Sequence, residues 1–342
     1  MIKRYLLLSS FFLLIISQYS CKRDRLQVDV SSVKVDIQVE RMEKDLFSLD
    51  PSAIRSSIPS LEAKYGKAFQ AFSYSVNAGE IADTSFPGLL VDFCTDKLNN
   101  EVYQKVSEAF PDAGFIEAGL EDAFRHYRYY FPSREVPQVF TSITGFNRSI
   151  ITLAGEPVLG IGLELYLGSG CKYYTELGIY DYMAARMNSY NIIPDCMYAW
   201  ALRDWEFEAA RYAADNVFSR IIHEGKVKYF ERCMLPDTRD TLIFGFSGDQ
   251  MKFCRNNEAQ MWKYLVEHNL LYSTDQMVIR KLTGEGPFTS FFTTESPGRS
   301  GIWIGYRIVE AYMMRNPSVT LEQLMSDPDY QGILERARYN PQ

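Results

Sequence analysis

The sequence predicts an α+β fold, with a mostly helical body and a small antiparallel sheet placed before one central helix. Between residues 138 and 165, three short strand-like runs are separated by glycine-containing turn signals. On both sides of this region, apolar residues recur at the 3.6-residue period of helices. The chain has 342 residues, which is long enough to bury a full hydrophobic core.

The first twenty residues have the pattern of an export signal. Met1–Arg4 is basic, and the apolar run that follows to Ile16 is shorter than the roughly 20 residues that a bilayer-spanning helix needs. Ser20-Cys21 then resembles the end of a bacterial lipobox, in which the cysteine becomes the lipidated first residue. We therefore expect a signal peptide over 1–20 and lipid attachment at Cys21; the alternative is a secretory signal with a chance cysteine.

The residues after Cys21 predict a tether. Residues 22–32 are mostly polar and lack a helical period, so we assign 21–32 to the lipidated cysteine and a tether, and 33–342 to one domain. The run Lys22–Arg25 is not acidic, whereas some lipoproteins exported to the cell surface carry an acidic run at this place. We expect a cell-envelope protein, lipid-anchored to a membrane and facing the periplasm.

Composition excludes several classes of protein. The formal net charge is −7, and no basic cluster is longer than Lys22–Arg25, so nucleic acid is not expected as a partner. Neither GxxxxGK[ST] nor GxSxG occurs, which leaves nucleotide-binding and serine-hydrolase functions without support. Aromatic residues make up 14% of the chain, which favours an aromatic core and a protein-binding surface.

The six cysteines include no CxxC pair, so neither a redox pair nor a cysteine zinc site is indicated. With Cys21 lipidated, five cysteines remain, and an odd number cannot all pair within the chain. Cys171 with Cys196 is the first pair to test, although spacing does not fix a pairing.

Taken in order, the elements begin with a half-buried strand at Val33–Val39. Helices follow over residues 52–78, with a break at Ser57–Pro59, over Gly88–Phe110 and over Phe115–Tyr130. The three sheet strands are Gln138–Ile143, Ser149–Leu153 and Val158–Leu165. Glycines in the last strand indicate either a peptide-binding strand edge or tight packing against a helix.

The second half of the chain is predicted to be mostly helical. After a helix over 175–189, the helical pattern continues almost without a break from Met197 to about Leu235, with a hinge expected near Asp204 or Asn216. From Ile221 onward, apolar residues lie on both sides of this helix. Ser296 is expected to cap a further helix that begins at Pro297. Gly301 and Gly305 would let that helix dock closely on the central one.

The central helix carries the candidate chemistry. His223-Glu224 begins like a zinc-protease motif, in which a second histidine four residues on completes a metal pair, but Val227 holds that place. In a working site, His223 and Glu258 would be ligands and Glu224 would be the general base. The alternative is a buried His223 bonded to Glu258 or to the backbone. Arg299 and Arg307 have the charge to pair with Glu224 or Glu258.

Several segments together resemble the GldB family of gliding-motility lipoproteins. The matching segments are Asp45–Phe47, Ile161–Gly168, His223–Lys226, Asn257–Trp262, Leu271–Asp275, Pro287-Phe288 and Glu295–Val309. The resemblance implies a cell-envelope accessory of the gliding machinery and of type IX secretion. The family is similar to predicted zinc proteases with a complete His-Glu-x-x-His, which implies a zincin-like body. Val227 departs from that motif and indicates a pseudoenzyme.

Three functions remain open, so the sequence leaves undecided whether this is an enzyme. The first is a non-catalytic accessory without a cofactor that binds other envelope proteins, such as motility or secretion components. The second is a periplasm-facing, zinc-dependent metallopeptidase that uses His223, Glu224 and Glu258. A third possibility is a lipoprotein that binds a ligand in a former metal cleft.

Overall fold

The computed structural model of the protein describes residues 26–207 and 214–342. The expected signal peptide over 1–20, the lipid site at Cys21 and the start of the tether lie outside these residues. The strands are β1 (Val39–Arg41), β2 (Gln138–Ser142), β3 (Ile150–Leu153) and β4 (Glu156–Gly162).

The described helices before the sheet are α1 (Met42–Phe47), α2 (Ile54–Tyr65), α3 (Lys67–Ser75), α4 (Phe86–Thr95), α5 (Lys97–Ala109) and α6 (Gly114–Tyr130). Those after it are α7 (Lys172–Glu176), α8 (Asp181–Ala184), α9 (Ile192–Asp204), α10 (Val217–Met234), α11 (Asp240–Phe244), α12 (Gly248–Asn256), α13 (Glu258–Glu267), α14 (Gln276–Thr283), α15 (Ser300–Arg315), α16 (Leu321–Ser326) and α17 (Tyr330–Ala337). The mostly helical α+β class is therefore confirmed.

The described strands form one mixed sheet in the order β1-β2-β4-β3. β1, β2 and β4 are parallel, and only β3 runs antiparallel to its neighbour β4. The predicted antiparallel sheet is wrong. β3 forms a hairpin with β4 and lies at the edge of the sheet, so it does not separate β2 from β4. β4 therefore pairs directly with β2 and runs parallel to it, and β1 pairs with the other side of β2.

Glycine in β4 permits close packing inside the sheet. A Cβ atom on Gly160 would lie 2.3 Å from the ring of Phe140 in β2, and one on Gly162 would lie 2.1 Å from the carbonyl oxygen of Arg148. β4 is an interior strand, so it is not the open peptide-binding edge that was one of the two expectations. The glycines are tightly packed, but the expected partner, a helix, is wrong: the close contacts come from Phe140 in β2 and from the backbone of Arg148.

The sheet separates two hydrophobic cores. Phe140 and Val158 point into the smaller core, which α1 to α4 complete. Val139, Leu159 and Ile161, one residue out of phase with them, point into the larger core of the remaining helices. Because successive strand residues face opposite sides, one short sheet serves both cores.

The central helix is α10, which is buried along nearly its whole length. The expected helix from Met197 to Leu235 is divided at the positions expected for a hinge: α9 ends at Asp204, and α10 begins at Val217, directly after Asn216. Asn216 starts α10 by accepting a hydrogen bond from the backbone N–H of Ser219 at 2.8 Å. Residues 208–213 of the expected helix lie outside the described residues.

Glycines bring α15 into contact with the central helix, as predicted. A Cβ on Gly305 would lie 1.6 Å from the carbonyl oxygen of Ile221, and one on Gly225 would lie 2.3 Å from the backbone of Gly305. The predicted start of α15 is wrong: the helix begins at Ser300, because Arg299 has a left-handed φ of 58°. Ser296 does not cap it and instead donates to the carbonyl of Thr293.

Other helix boundaries differ where the backbone turns. The break expected at Ser57–Pro59 lies at Gly66, whose φ is 51°, and Pro59 stays inside α2. The helix expected over Gly88–Phe110 divides at Asp96, whose side chain caps α5. Phe115–Tyr130 is confirmed as α6.

Two expected elements are shorter than predicted. The expected helix over 175–189 contains only the end of α7 and the four residues of α8. The expected strand at Val33–Val39 contributes only Val39 to β1.

No disulfide joins the five cysteines within the described residues, so the pair Cys171–Cys196 is not bonded. Within the same residues, no helix has both the length and the apolar character needed to cross a membrane.

Candidate functional site

His223 lies on the face of the central helix that packs on α17. Its Nδ1 is 3.2 Å from the hydroxyl of Tyr330, and its ring meets that of Phe207 edge-on at 5.4 Å. Nε2 is buried without a hydrogen-bond partner among the described residues. Burial, together with Lys226 and Arg220, lowers the pKa of His223 to about 3. The expected bond from His223 to Glu258 or to the backbone is wrong.

Glu258 lies at the start of α13 and is fully engaged elsewhere. It accepts hydrogen bonds from Trp303 Nε1 at 3.1 Å, from Arg307 Nε at 3.0 Å and from the Tyr339 hydroxyl at 3.0 Å. The pairing of Arg307 with Glu258, one of those expected from charge, is confirmed. Arg299 instead contacts Glu285 and the carbonyl of Phe244.

These residues do not fit a catalytic zinc ion. A zinc site needs three protein ligands with free lone pairs. Glu258 directs both carboxylate oxygens at other side chains, Val227 is a fully buried hydrocarbon, and His223 and Glu258 share no contact. Among the residues that the structure describes, no group of three or more His, Cys, Asp or Glu side chains could hold a metal ion.

Glu224 points away from His223, toward α9. Its Oε2 accepts a hydrogen bond from the Tyr198 hydroxyl at 3.0 Å. Burial raises the pKa of Glu224, although Lys228 and Arg299 act in the opposite direction. The expected general base therefore lies behind a tyrosine, at the edge of a cavity that the sequence did not predict.

We call this cavity the Tyr198 cleft. It has a volume of about 530 Å³ and is lined by Phe146, Asn147, Ser149, Ile150, Leu165, Tyr166, Ile179, Met183, Arg186, Met187, Asp195, Tyr198, Ala199, Leu202, Glu285 and Arg299. Most of these side chains are aliphatic, aromatic or methionine. The size and lining are those of a binding cleft for a small molecule or for one or two side chains of a partner.

Ionic contacts organise the polar part of the Tyr198 cleft. Arg186 joins Asp195 at 3.3 Å and Glu285 at 3.1 Å, and Arg299 also contacts Glu285 at 3.0 Å. The hydroxyl of Tyr166 donates to Asp195 at 3.0 Å. These contacts tie α9 to the loop before α15, so the polar wall is held in place without a ligand.

A buried ion pair supports the cleft from behind. Lys228 Nζ lies 2.7 Å from Glu231 Oε1 and 2.8 Å from the carbonyl oxygen of Ile243. The same ammonium lies 4.3 Å from the centre of the Tyr198 ring, which positions that ring from below. Burial raises the pKa of Glu231 to about 7, and the proximity of Lys228 opposes that shift.

Four exposed apolar side chains lie between residues 177 and 190, and one of them, Met183, also lines the Tyr198 cleft. We call this surface the 177–190 patch; its exposed members are Leu177, Tyr180, Met183 and Tyr190. Tyr180 is 68% exposed and stacks on Tyr182 with ring centres 5.8 Å apart, while Met183 also lines the cleft. Exposed large apolar side chains beside a cleft are typical of a protein-interaction site.

Sequence reasoning missed the residues that build this site. Tyr198, Arg186 and Asp195 belong to no motif, and their pairing depends on how α9 packs on the central helix. The one available signal was the high aromatic content, which indicated a protein-binding surface without locating it.

The family comparison applies to almost the whole chain. The model of the family described as "Gliding motility protein GldB", a lipoprotein family, matches residues 23–341. The chain belongs to this family. It is therefore a gliding-motility-associated protein of a lipoprotein family, as the resemblance implied, and the match spans both cores and the Tyr198 cleft. No curated protein and no solved structure matches this GldB-family chain.

Proposed function

We propose that this GldB-family protein is a lipid-anchored envelope protein that faces the periplasm and acts by binding another protein. The partner is a component of the gliding or type IX secretion machinery, and the protein performs no catalysis. In this proposal Cys21 carries the lipid, and the 177–190 patch with the Tyr198 cleft is the binding surface.

The observation that carries the proposal is the 177–190 patch. Tyrosine and methionine bury large areas at interfaces at a low cost in side-chain entropy, and tyrosine is enriched among hot spots. The adjoining Tyr198 cleft would accept a side chain of the partner, so the surface combines an exposed rim with a concave centre.

The non-catalytic part of the proposal rests on where the expected metal ligands lie. Glu258 is held by Arg307, Trp303 and Tyr339, so ligating a metal would require breaking a set of charge-assisted hydrogen bonds. We infer that the central helix is a zincin-like helix whose metal pair has been replaced by packing at Val227. The alternative, a zinc-dependent metallopeptidase, has no observation in its favour.

The test compares two pairs of exposed side chains of the same two residue types. Tyr180→Ser with Met183→Ser removes the patch, whereas Tyr272→Ser with Met277→Ser removes a tyrosine that is 59% exposed and a methionine that is 60% exposed elsewhere. We expect only the first pair to abolish gliding or type IX secretion, at unchanged abundance and membrane attachment. Each lost hot-spot side chain costs about 2 kcal/mol, a roughly 30-fold loss of affinity.

A photo-crosslinking residue at position 180 identifies the partner, with position 272 as the matched control. We expect position 180 alone to yield an adduct with a motility or secretion component. Full function in the patch variant, or the same adducts from both positions, would contradict the proposal.

A further inference from the structure

An open edge of the sheet lies beside the Tyr198 cleft. β3 is an edge strand, and its neighbour on one side is β4; among the described strands, nothing pairs with its other side. Asn147 and Ser149, just before β3, and Ile150, its first residue, all line the cleft. A segment of another protein that enters the cleft therefore meets a strand edge.

The register of β3 leaves backbone groups free along that edge. In an antiparallel pair, only every second residue of a strand bonds to its neighbour. The N–H of Gly162 donates to the carbonyl of Ser149 at 2.8 Å, so the next residue, Ile150, faces Ile161 in a non-hydrogen-bonded pair. The N–H and C=O groups of Ile150 and Thr152 thus point away from β4. In the described part of the chain, no other backbone group bonds to them.

The sequence of β3 does not protect this edge. Proteins commonly block an open strand edge with charged side chains, especially Lys, or with Pro. The run Ser149–Leu153 contains neither, and Ile150 and Thr152 are partly exposed. A register shift between Thr152 and Leu153 interrupts the strand at its far end. Pairing with another chain is therefore confined to the end of β3 that borders the cleft.

From this arrangement we propose that β3 binds an extended segment of the partner, which adds to the sheet as a further strand. One apolar, uncharged side chain of that segment enters the Tyr198 cleft. This inference rests on the proposed function, because it specifies how the partner occupies the same cleft. Backbone hydrogen bonds would supply affinity, and the cleft would select the side chain.

The two faces of β3 decide which partner side chain enters the cleft. Ile150 packs against the larger core, whereas Ile151 belongs to the smaller one. Residues that face each other on paired strands have their side chains on the same side of the sheet. A partner residue opposite Ile150 therefore directs its side chain to the side of the larger core, where Leu165 and Leu202 line the cleft.

The charges of the cleft favour an uncharged side chain. Arg186 pairs with Asp195 and Glu285, and Arg299 also pairs with Glu285. The two guanidinium groups and two carboxylates of the polar wall are thus already matched. A charged side chain would have to break one of these ion pairs, whereas an apolar one packs on the aliphatic wall without doing so.

The elements around β3 favour a single extended segment over a second copy of this chain. β3 has four residues, and α3 and α9 pack against it from opposite faces of the sheet. A second copy that paired through its own β3 would bring its own two flanking helices to the same place. An extended segment brings none, and it continues directly into contact with Met183 of the 177–190 patch.

The test compares Ile150→Pro with Ile150→Val. Proline removes the outward N–H, and no bond to β4 is lost because Ile150 makes none there. Valine keeps both the N–H and the branched side chain. The readout is the yield of the partner adduct from the photo-crosslinking residue at position 180, at equal protein abundance. We expect a loss of about tenfold in the proline variant and little change in the valine variant.

A second measurement needs no substitution in β3, so it decides the matter if the proline variant does not fold. The partner segment joined to position 180, with the residues that flank it, is synthesised as a peptide. Hydrogen exchange of the wild-type backbone amides is then followed with and without this peptide. We expect exchange at Ile150 and Thr152 to slow about tenfold or more on binding, and exchange at Ile151, which faces β4, to change much less.

Equal adduct yields from the two folded variants, or unchanged exchange at Ile150 and Thr152, would overturn strand addition. The proposed function would survive either result, because the adduct itself supports it. An adduct between two copies of this chain at position 180 would assign the edge to self-association and overturn the inference. A wild-type chain that gives no adduct at position 180 would remove the proposed function, and this inference with it.

Discussion

At the scale of single residues, Glu258 illustrates what charge pattern reveals and what it does not. Its ion pair with Arg307 was among those expected from the sequence, because a carboxylate near the core needs a cation. Trp303 and Tyr339 also donate hydrogen bonds to Glu258, and their positions in the sequence did not predict these bonds. His223 bonds to Tyr330, more than one hundred residues away, so its partner depends on tertiary packing alone.

The buried pair Lys228–Glu231 gives the first prediction. Removing one member leaves an uncompensated buried charge, so Lys228→Met or Glu231→Leu alone should lower the free energy of unfolding by about 3 to 5 kcal/mol. The double variant should be more stable than either single variant, because neither charge then remains. Denaturant unfolding measures all three chains, and a double-variant loss equal to the sum of the single losses would refute the account.

His223 gives a prediction about pH. Its pKa is about 3 in the folded protein against an ordinary value of 6.5, because burial disfavours the charged ring. The unfolded chain therefore binds more protons between these values, and stability is lost as pH falls below about 6.5. His223→Gln removes the group, so wild type should lose about 2 to 3 kcal/mol more than the variant between pH 7 and pH 4.

Thermal or denaturant unfolding of wild type and His223→Gln at both pH values checks this difference. Other titrating groups, such as Lys226 and Glu231, are common to both chains and cancel in the comparison. Parallel pH dependence in the two proteins would mean that His223 is solvated and able to bind a proton.

At the scale of elements, the crossing of the central helix and α15 gives the third prediction. Gly305→Ala places a methyl group 1.6 Å from the carbonyl of Ile221, which forces the helices apart. Alanine gains about 1 kcal/mol of helix propensity over glycine, yet we expect a net loss of several kcal/mol of stability. Gly248→Ala, with no atom near the new methyl group, is the control and should be neutral; equal effects would refute close packing.

Element type was more predictable than element pairing. Alternation located β2, β3 and β4 within a few residues, because side-chain period reports on the two faces of a strand. Alternation carries no information about strand direction. The antiparallel sheet was expected from the short glycine-containing turns between the strands. A hinge near Asn216 was expected, and the Asn216 side chain caps α10 there. The start at Ser300 was missed because the left-handed backbone of Arg299 sets it.

At the scale of the whole molecule, the lipid anchor gives the fourth prediction. Cys21→Ala should release the protein from the membrane fraction, because the lipid is the membrane attachment in this account. Fractionation of cells with and without the substitution measures this directly. A variant that stays in the membrane fraction, at unchanged abundance, would refute attachment through Cys21.

The family and the body class were within reach of the sequence, whereas the binding surface was not. Long segments such as Glu295–Val309 resemble the family directly. The Tyr198 cleft forms only when the cleft-lining strand end at Ile150, helix α9 and the loop before α15 meet, so no local pattern encodes it. The 177–190 patch could not be predicted from the sequence either, because exposure of an apolar side chain depends on tertiary packing.

The central claim is that the His223–Glu224 helix is a structural scaffold and that the protein acts by binding. Zinc analysis of purified residues 22–342, which leave out the lipidated cysteine, tests this most directly. Wild type and His223→Ala are compared after equilibration with zinc and removal of loosely held ions. We predict substoichiometric zinc in both proteins, with no difference between them. Zinc bound one to one in wild type and lost in His223→Ala would contradict the account.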